Sequence, residues 1–120
     1  MVKYIVAFVF IMGLIWGFTH IAVSREATLE NFTVASCATT TTLALAANAG
    51  RISALLVNDG TASIYIKIGE DAVLNEGIRI NANGGSYYMT DADGNRDTEV
   101  INCIVATGTI SLIVTEWSTE

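Results

Sequence analysis

Few side chains in this sequence could carry out chemistry, and they lie far apart along the chain. His20 is the single histidine, and it falls inside a long apolar run near the N-terminus. A nucleophilic serine or cysteine needs a base beside it, and the rest of the chain has no histidine to supply one. Neither a phosphate-binding loop nor a dinucleotide-binding motif is present. We therefore expect no catalytic residue and no cofactor, and we interpret His20 as a polar residue at a lipid–water boundary.

The chain has two cysteines, Cys37 and Cys103. An even count on separate strands is compatible with one disulfide. Two thiols alone do not make a zinc site, because structural zinc takes four ligands. Buried free cysteine also behaves as a small hydrophobic side chain. The sequence leaves a disulfide and two buried thiols as alternatives.

An acidic segment, DADGNRDTE, places oxygen-bearing side chains at every second position, as in the first half of a calcium-binding EF-hand loop. The agreement is incomplete, because glycine stands at the fourth place instead of the sixth and Asn102 stands where the closing glutamate belongs. Clusters of Asp, Asn and Gly also build ordinary solvated loops. We therefore expect no metal site and name this segment as a weak calcium candidate only. Its candidate ligands are Asp91, Asp93, Asn95 and Asp97.

The N-terminal run from Tyr4 to Val23 is long enough to cross a membrane. At about 1.5 Å per helical residue, its length matches the roughly 30 Å of bilayer hydrocarbon. Lys3 precedes the run and Arg25 follows it. We predict a transmembrane or hydrophobic anchor helix in residues 1–23, with a cleaved signal peptide or a rod buried in other proteins as alternatives. The predicted aromatic anchor residues are Tyr4, Phe8, Phe10, Trp16 and Phe18.

Beyond a juxtamembrane linker at 24–32, the pattern changes to strands. ISALLVN is almost continuously apolar, which predicts a central strand covered on both faces. The NDGT that follows predicts a hairpin with a type I′ turn, and ATG near the C-terminus predicts a last hairpin. Ile64, Ile66 and Ile68 alternate with polar neighbours, as in a half-buried strand. Residues 33–120 are therefore predicted to form an all-β domain, a small antiparallel sandwich or barrel of seven or eight strands.

The charge balance argues against nucleic acid as a partner. Residues 27–120 contain eleven acidic and four basic side chains, a net charge of −7. A surface of this sign repels a phosphate backbone.

Three segments in fixed order carry a resemblance to a known group of proteins. AANAGRISALLVNDGTASIYIKIGE is followed by GIRINANGGSYYM and then by INCIVATGTISLIVTEW. This order resembles small β-domain proteins that bacteriophages encode among their virion structural genes. The matching positions are Arg51, Asn58, Gly60, Ala62, Ile64, Tyr65, Gly69, Gly77, Ile78, Gly84, Gly85, Ser86, Tyr87, Gly108, Thr109, Glu116 and Trp117.

The resemblance implies a multi-copy structural module that binds other virion proteins. The apolar N-terminal run departs from the soluble members and suggests phages with an internal membrane. There, an anchored protein would link the lipid bilayer to capsid or vertex proteins, after residing in the host membrane before assembly. A head or tail fitting with a protein-embedded helix, and a bacterial envelope-anchored binding domain, are the alternatives. The predicted partner contacts are the strand aromatics Tyr65, Tyr87, Tyr88 and Trp117, because aromatic side chains dominate interface energetics.

Overall fold

A computed structural model describes residues 28–119 of the chain. Within this range, no helix is long and apolar enough to cross a membrane. The anchor helix predicted within 1–23, its five aromatic residues and His20 lie outside the described residues. The strands are β1 (Thr28–Cys37), β2 (Thr42–Leu45), β3 (Arg51–Asn58), β4 (Ile64–Ile68), β5 (Ile78–Ile80), β6 (Gly85–Thr90), β7 (Ile101–Val105) and β8 (Ile110–Thr119).

The eight strands form two four-stranded antiparallel sheets that pack face to face. Sheet A has the order β1–β8–β3–β6, and sheet B has the order β2–β7–β4–β5. This confirms the all-β prediction and its number of strands. Only β4 and β5 are consecutive in the chain and paired in one sheet. Every other connection between consecutive strands crosses from one sheet to the other, so the domain is built almost wholly from non-local pairings.

The prediction of a hairpin at Asp59 and Gly60 is wrong. β3 belongs to sheet A and β4 to sheet B, and neither turn residue has the positive φ that a type I′ turn requires. The side chain of Asn58 organises the crossing instead: its Oδ1 accepts the Gly60 N–H at 3.0 Å and its Nδ2 donates to the Ile80 carbonyl at 3.1 Å. A Cβ on Gly60 would lie 2.3 Å from Ile110 Cγ2. Glycine fits here because the connection from β3 to β4 passes close to Ile110 at the start of β8.

The hairpin predicted through Ala106, Thr107 and Gly108 is also a crossing between sheets. β7 lies in sheet B and β8 in sheet A. Gly108 does adopt a left-handed conformation, with φ of 69°. The turn residue was therefore correctly identified, but a tight turn between two strands does not require that the strands pair with each other.

The domain begins earlier than the predicted boundary at residue 33. Residues 28–32, predicted as linker, form the first half of β1 and pair with residues 115–119 of β8. Their side chains are exposed, which explains why the segment has a polar composition. The backbone of the long strand β8 supplies the hydrogen bonds that hold this segment in a strand.

The core lies between the sheets and consists of the inward-facing side chains of both. Ile64 and Ile66 are fully buried, and Ile68 packs against them from a partly exposed position, as the alternation predicts. Cys37 on β1 and Cys103 on β7 are joined by a disulfide, with a Cα–Cα distance of 5.5 Å and no solvent exposure. The structure therefore contains the disulfide and not two buried thiols, and this bond links sheet A to sheet B.

Candidate contact surface

The side of sheet A that faces away from the core is unusually apolar for a water-facing surface; we call it the outer face of sheet A. Side chains directly opposite each other in antiparallel strands point to the same side of the sheet. The strand registers therefore define which residues share this face. Glu30, at its margin, is the one charged side chain among them. The apolar members are Phe32, Val34, Leu55, Val57, Tyr88, Ile113 and Trp117.

Rows of facing residues run across the four strands and build this face. One row pairs Phe32 with Thr115, Thr115 with Leu55 and Leu55 with Tyr88. Phe32 is 64% exposed and Tyr88 is 47% exposed at the two ends of this row. Leu55, at its centre, is partly exposed. β3 was predicted to be covered on both faces. Within residues 28–119, only its inward face is covered, and its outward side chains contact solvent.

The outer side of sheet B has a different character. Lys67 projects from β4, and its Nζ lies 2.9 Å from a carboxylate oxygen of Glu70 and 3.8 Å from one of Glu76. Both acids belong to the loop after β4, and the Glu70 carbonyl accepts a hydrogen bond from Asn102 of β7. The hydrogen bond and charge of Lys67 hold the pKa of Glu70 below its usual value, and Glu70 raises the pKa of Lys67. This surface combines ion pairs with apolar side chains such as Leu43 and Ile104, and its own loop partly covers it.

The four aromatic side chains predicted as partner contacts do not lie together. Tyr88 and Trp117 share the outer face of sheet A, on either side of β3. Tyr87 points inward and packs against the core. Tyr65 lies on the outer side of sheet B, opposite Arg79 of β5. The structure thus brings two of the predicted residues onto one surface, and it adds Phe32 and Leu55, which strand alternation did not single out.

A buried ion pair supports the end of the sandwich where β1 begins. Arg51 is 1% exposed, and its Nε donates to Glu116 Oε1 at 2.6 Å. Its two terminal nitrogens donate to the carbonyls of Ala46, Asp97 and Glu99 at 2.5 to 2.9 Å. One guanidinium therefore fixes both loops that leave sheet A at this end. The pair was not predicted from the sequence, although Glu116 lies at an inward position of an alternating strand, where a carboxylate needs a partner.

Three of the four candidate calcium ligands are engaged in contacts with neighbouring groups. Asn95 Oδ1 accepts the Thr90 N–H at 2.9 Å, and Asp97 Oδ1 accepts the Glu99 N–H at 2.8 Å. The remaining members form a 3-10 turn at Asp91–Asp93, where Asp91 pairs with Arg96 at 2.9 Å. In the part of the chain that the structure describes, no three His, Cys, Asp or Glu side chains are placed to hold a metal ion. The side chains of this loop therefore bind nearby backbone N–H groups and one arginine instead of a metal ion.

These features define a small disulfide-bonded β-sandwich with one apolar, nearly uncharged outer face. The arrangement can bind another surface by excluding water from that face. No family model, curated protein or solved structure matches the chain.

Proposed function

We propose that this chain is a membrane-anchored structural protein of a virion. In this proposal, residues 4–23 form a helix in an internal viral membrane, and the β domain contacts capsid or vertex proteins. The virion assignment is supported by the resemblance in motif order across β3 to β8. The anchoring is supported by the length and apolar character of the N-terminal run. Before assembly the protein resides in the host membrane, and each particle contains many copies of it.

The observation that carries the binding role is the outer face of sheet A. Four strands at about 4.8 Å spacing and seven residues at about 3.4 Å per residue give a face of roughly 450 Å². It contains seven apolar side chains and a single carboxylate at its margin. Interfaces are depleted of charge at their centre and enriched in aromatic residues, and this face has both properties. It is the part of the described domain best suited to bind a protein surface.

The size of the face limits what it does alone. Each partner in a standard interface buries about 800 Å², which is nearly twice the area of this face. The face therefore forms the centre of the contact, and loops or edges around it supply the rim. Tyr88 and Trp117 are the expected aromatic anchors, because each combines a large apolar ring with one polar atom.

The membrane part of the proposal is tested by treating purified virions with a non-ionic detergent that removes lipid. A protein anchored through residues 4–23 leaves with the lipid fraction. Retention with the stripped shell would favour the head or tail fitting, whose N-terminal helix is embedded in protein. Absence from purified virions would refute the virion assignment and favour the bacterial envelope-anchored binding domain.

The contact surface is tested by comparing Tyr88→Ala with Tyr65→Ala in assembled particles. The two changes remove the same side chain from opposite sheets, so each is the control for the other. Each substitution should leave the stability of the domain within about 1 kcal/mol, because neither side chain is fully buried. We expect Tyr88→Ala to lower retention of the protein in the particle and Tyr65→Ala to leave it unchanged. Loss only with Tyr65→Ala would place the contact on sheet B, and equal retention of both would contradict a tyrosine-anchored contact.

A further inference from the structure

The two sheets have four edge strands, and β1 differs from the other three. An edge strand exposes unpaired N–H and C=O groups and readily pairs with another chain. Folded proteins blunt such edges with short strands, bulges, charged residues or covering side chains. We call the side of β1 that faces away from β8 the free edge of β1.

The other three edges are each blunted. β2 has four residues, with a register shift between Leu43 and Leu45, and β5 has three residues. On β6, the side-chain amide of Asn95 donates to the Tyr88 carbonyl at 2.9 Å and accepts the Thr90 N–H at 2.9 Å. This amide occupies one backbone donor and one acceptor that a neighbouring strand would use.

The free edge of β1 has none of these features. β1 is ten residues long and pairs with β8 without a register shift from Thr28 to Cys37. It contains no lysine, arginine or proline, and its one charged residue is Glu30. Its first seven residues are exposed, with Phe32 at 64% and Val34 at 52%. Within residues 28–119, it is the longest unprotected strand edge, next to the apolar outer face of sheet A.

We propose that the free edge of β1 pairs with β1 of a second copy of this chain, antiparallel and about a two-fold axis normal to the sheet. The two copies of sheet A then form one eight-stranded sheet. Such an axis leaves both outer faces on the same side, so the apolar surface becomes continuous across the pair. When the contact is centred near Thr33, Phe32 of each copy lies opposite Val34 of the other. This buries the two most exposed apolar side chains of the strand.

The free edge of β1 is a surface at which two copies of this acidic chain can meet without opposing like charges. The described domain is acidic, with ten acidic and four basic side chains in residues 28–119. Association through most of its surface therefore brings like charges together. Antiparallel pairing of β1 centred near Thr33 avoids this, because the two Glu30 side chains lie at opposite ends of the contact. Doubling the outer face also brings its area from roughly 450 Å² toward the 800 Å² or so of a standard interface.

The chain outside the described residues is compatible with this arrangement. The apolar run ends at Val23, and four residues separate it from the start of β1 at Thr28. At about 3.5 Å per residue, this connection spans no more than roughly 17 Å. In the pair, the two β1 strands begin at opposite ends of the eight-stranded sheet. When the eight-stranded sheet lies parallel to a bilayer, the N-terminal apolar runs of both copies can enter that bilayer from the same side.

The test measures the mass of the full-length protein in detergent micelles by light scattering, with Val34→Lys as the variant. A lysine on an edge strand opposes pairing, and Val34 is exposed, so the domain should stay folded. Val73→Lys is the matched control, because it is the same substitution at a valine that is 43% exposed in the loop between β4 and β5, away from β1. We expect a protein mass of twice 12.8 kDa for the unmodified chain and for Val73→Lys, and 12.8 kDa for Val34→Lys.

Chemical cross-linking gives an independent readout. Val34→Cys introduces one free thiol, because Cys37 and Cys103 are bonded to each other. A bifunctional maleimide should link two copies through this thiol, and Val73→Cys, in the loop between β4 and β5, should give no linked pair. A mass of 12.8 kDa for the unmodified chain, or an unchanged double mass in Val34→Lys, would overturn the proposal. In the second case, association occurs through the N-terminal run or another surface. Because these measurements use purified protein without virions, their outcome is independent of the proposed function.

Discussion

Replacing Arg51 with alanine should be among the most damaging single changes to this domain. The substitution removes the partner of buried Glu116 and the donors to three loop carbonyls. Removing one member of a buried ion pair costs about 3–5 kcal/mol, because the other charge stays buried without compensation. A domain of this size has a total stability of roughly 5–14 kcal/mol. The change therefore removes a large share of the free energy of unfolding.

The measurement is thermal unfolding of the full-length protein in detergent, followed by circular dichroism. A loss of about 4 kcal/mol corresponds to a decrease in Tm on the order of 20 °C for a domain of this length. Arg96→Ala is the matched control, since Arg96 pairs with Asp91 at an exposed site. That control should change the stability by no more than about 0.5 kcal/mol.

A double substitution separates the buried charge from the lost hydrogen bonds. Arg51→Met combined with Glu116→Leu removes both charges and keeps apolar volume in the core. Replacing both members of a buried pair is often neutral or stabilising, so the double variant should recover most of the lost stability. The unpaired loop carbonyls account for the remainder. A loss below about 1 kcal/mol for Arg51→Ala, or a double variant no more stable than the single one, would refute this reasoning.

Three further predictions concern the disulfide, the acidic loop and the surface of sheet B. Replacing Cys37 and Cys103 together with alanine should cost about 2–4 kcal/mol, because the bond closes a loop of 66 residues; unfolding of this variant should no longer respond to reductant. Millimolar calcium should shift the Tm by less than about 5 °C, because Asp91, Asn95 and Asp97 are already engaged by neighbouring groups; a larger shift would reveal a site. Lys67→Met should raise the pKa of Glu70 toward its ordinary value of 4.5, measured by NMR titration. In the unmodified chain, the stabilisation from Glu70 is present above that value and is lost as the pH falls through its lowered pKa; an unchanged titration would contradict the ion pair.

The candidate contact surface could be predicted from the sequence only in part. Alternation along β4 correctly predicted that Tyr65 points outward, and the adjacent tyrosines of β6 required that one of them do so. Which of Tyr87 and Tyr88 that would be depended on the register of β6 against β3. Phe32 was assigned to a linker because the segment around it is polar. Its place on the outer face follows from pairing with β8, which lies more than eighty residues further along the chain.

Strand identity was determined by the sequence, because the rules that govern it are local. Side chains alternate along a strand whatever its partner, so the inward positions of Ile64 and Ile66 could be predicted from spacing alone. The turn at Gly108 was recognisable for the same reason, since its positive φ is a property of the residue and its neighbours.

The pairing of the strands was decided by the tertiary structure. The Asp59-Gly60 turn satisfies the local rules for a hairpin, yet its two strands belong to different sheets. Two four-stranded sheets bury one common core between them, and that requirement concerns residues far apart in sequence. The same holds for the pairing of Arg51 with Glu116 across 65 positions. It holds as well for the apolar side of β3, which faces water because the opposite side of the strand already fills the core.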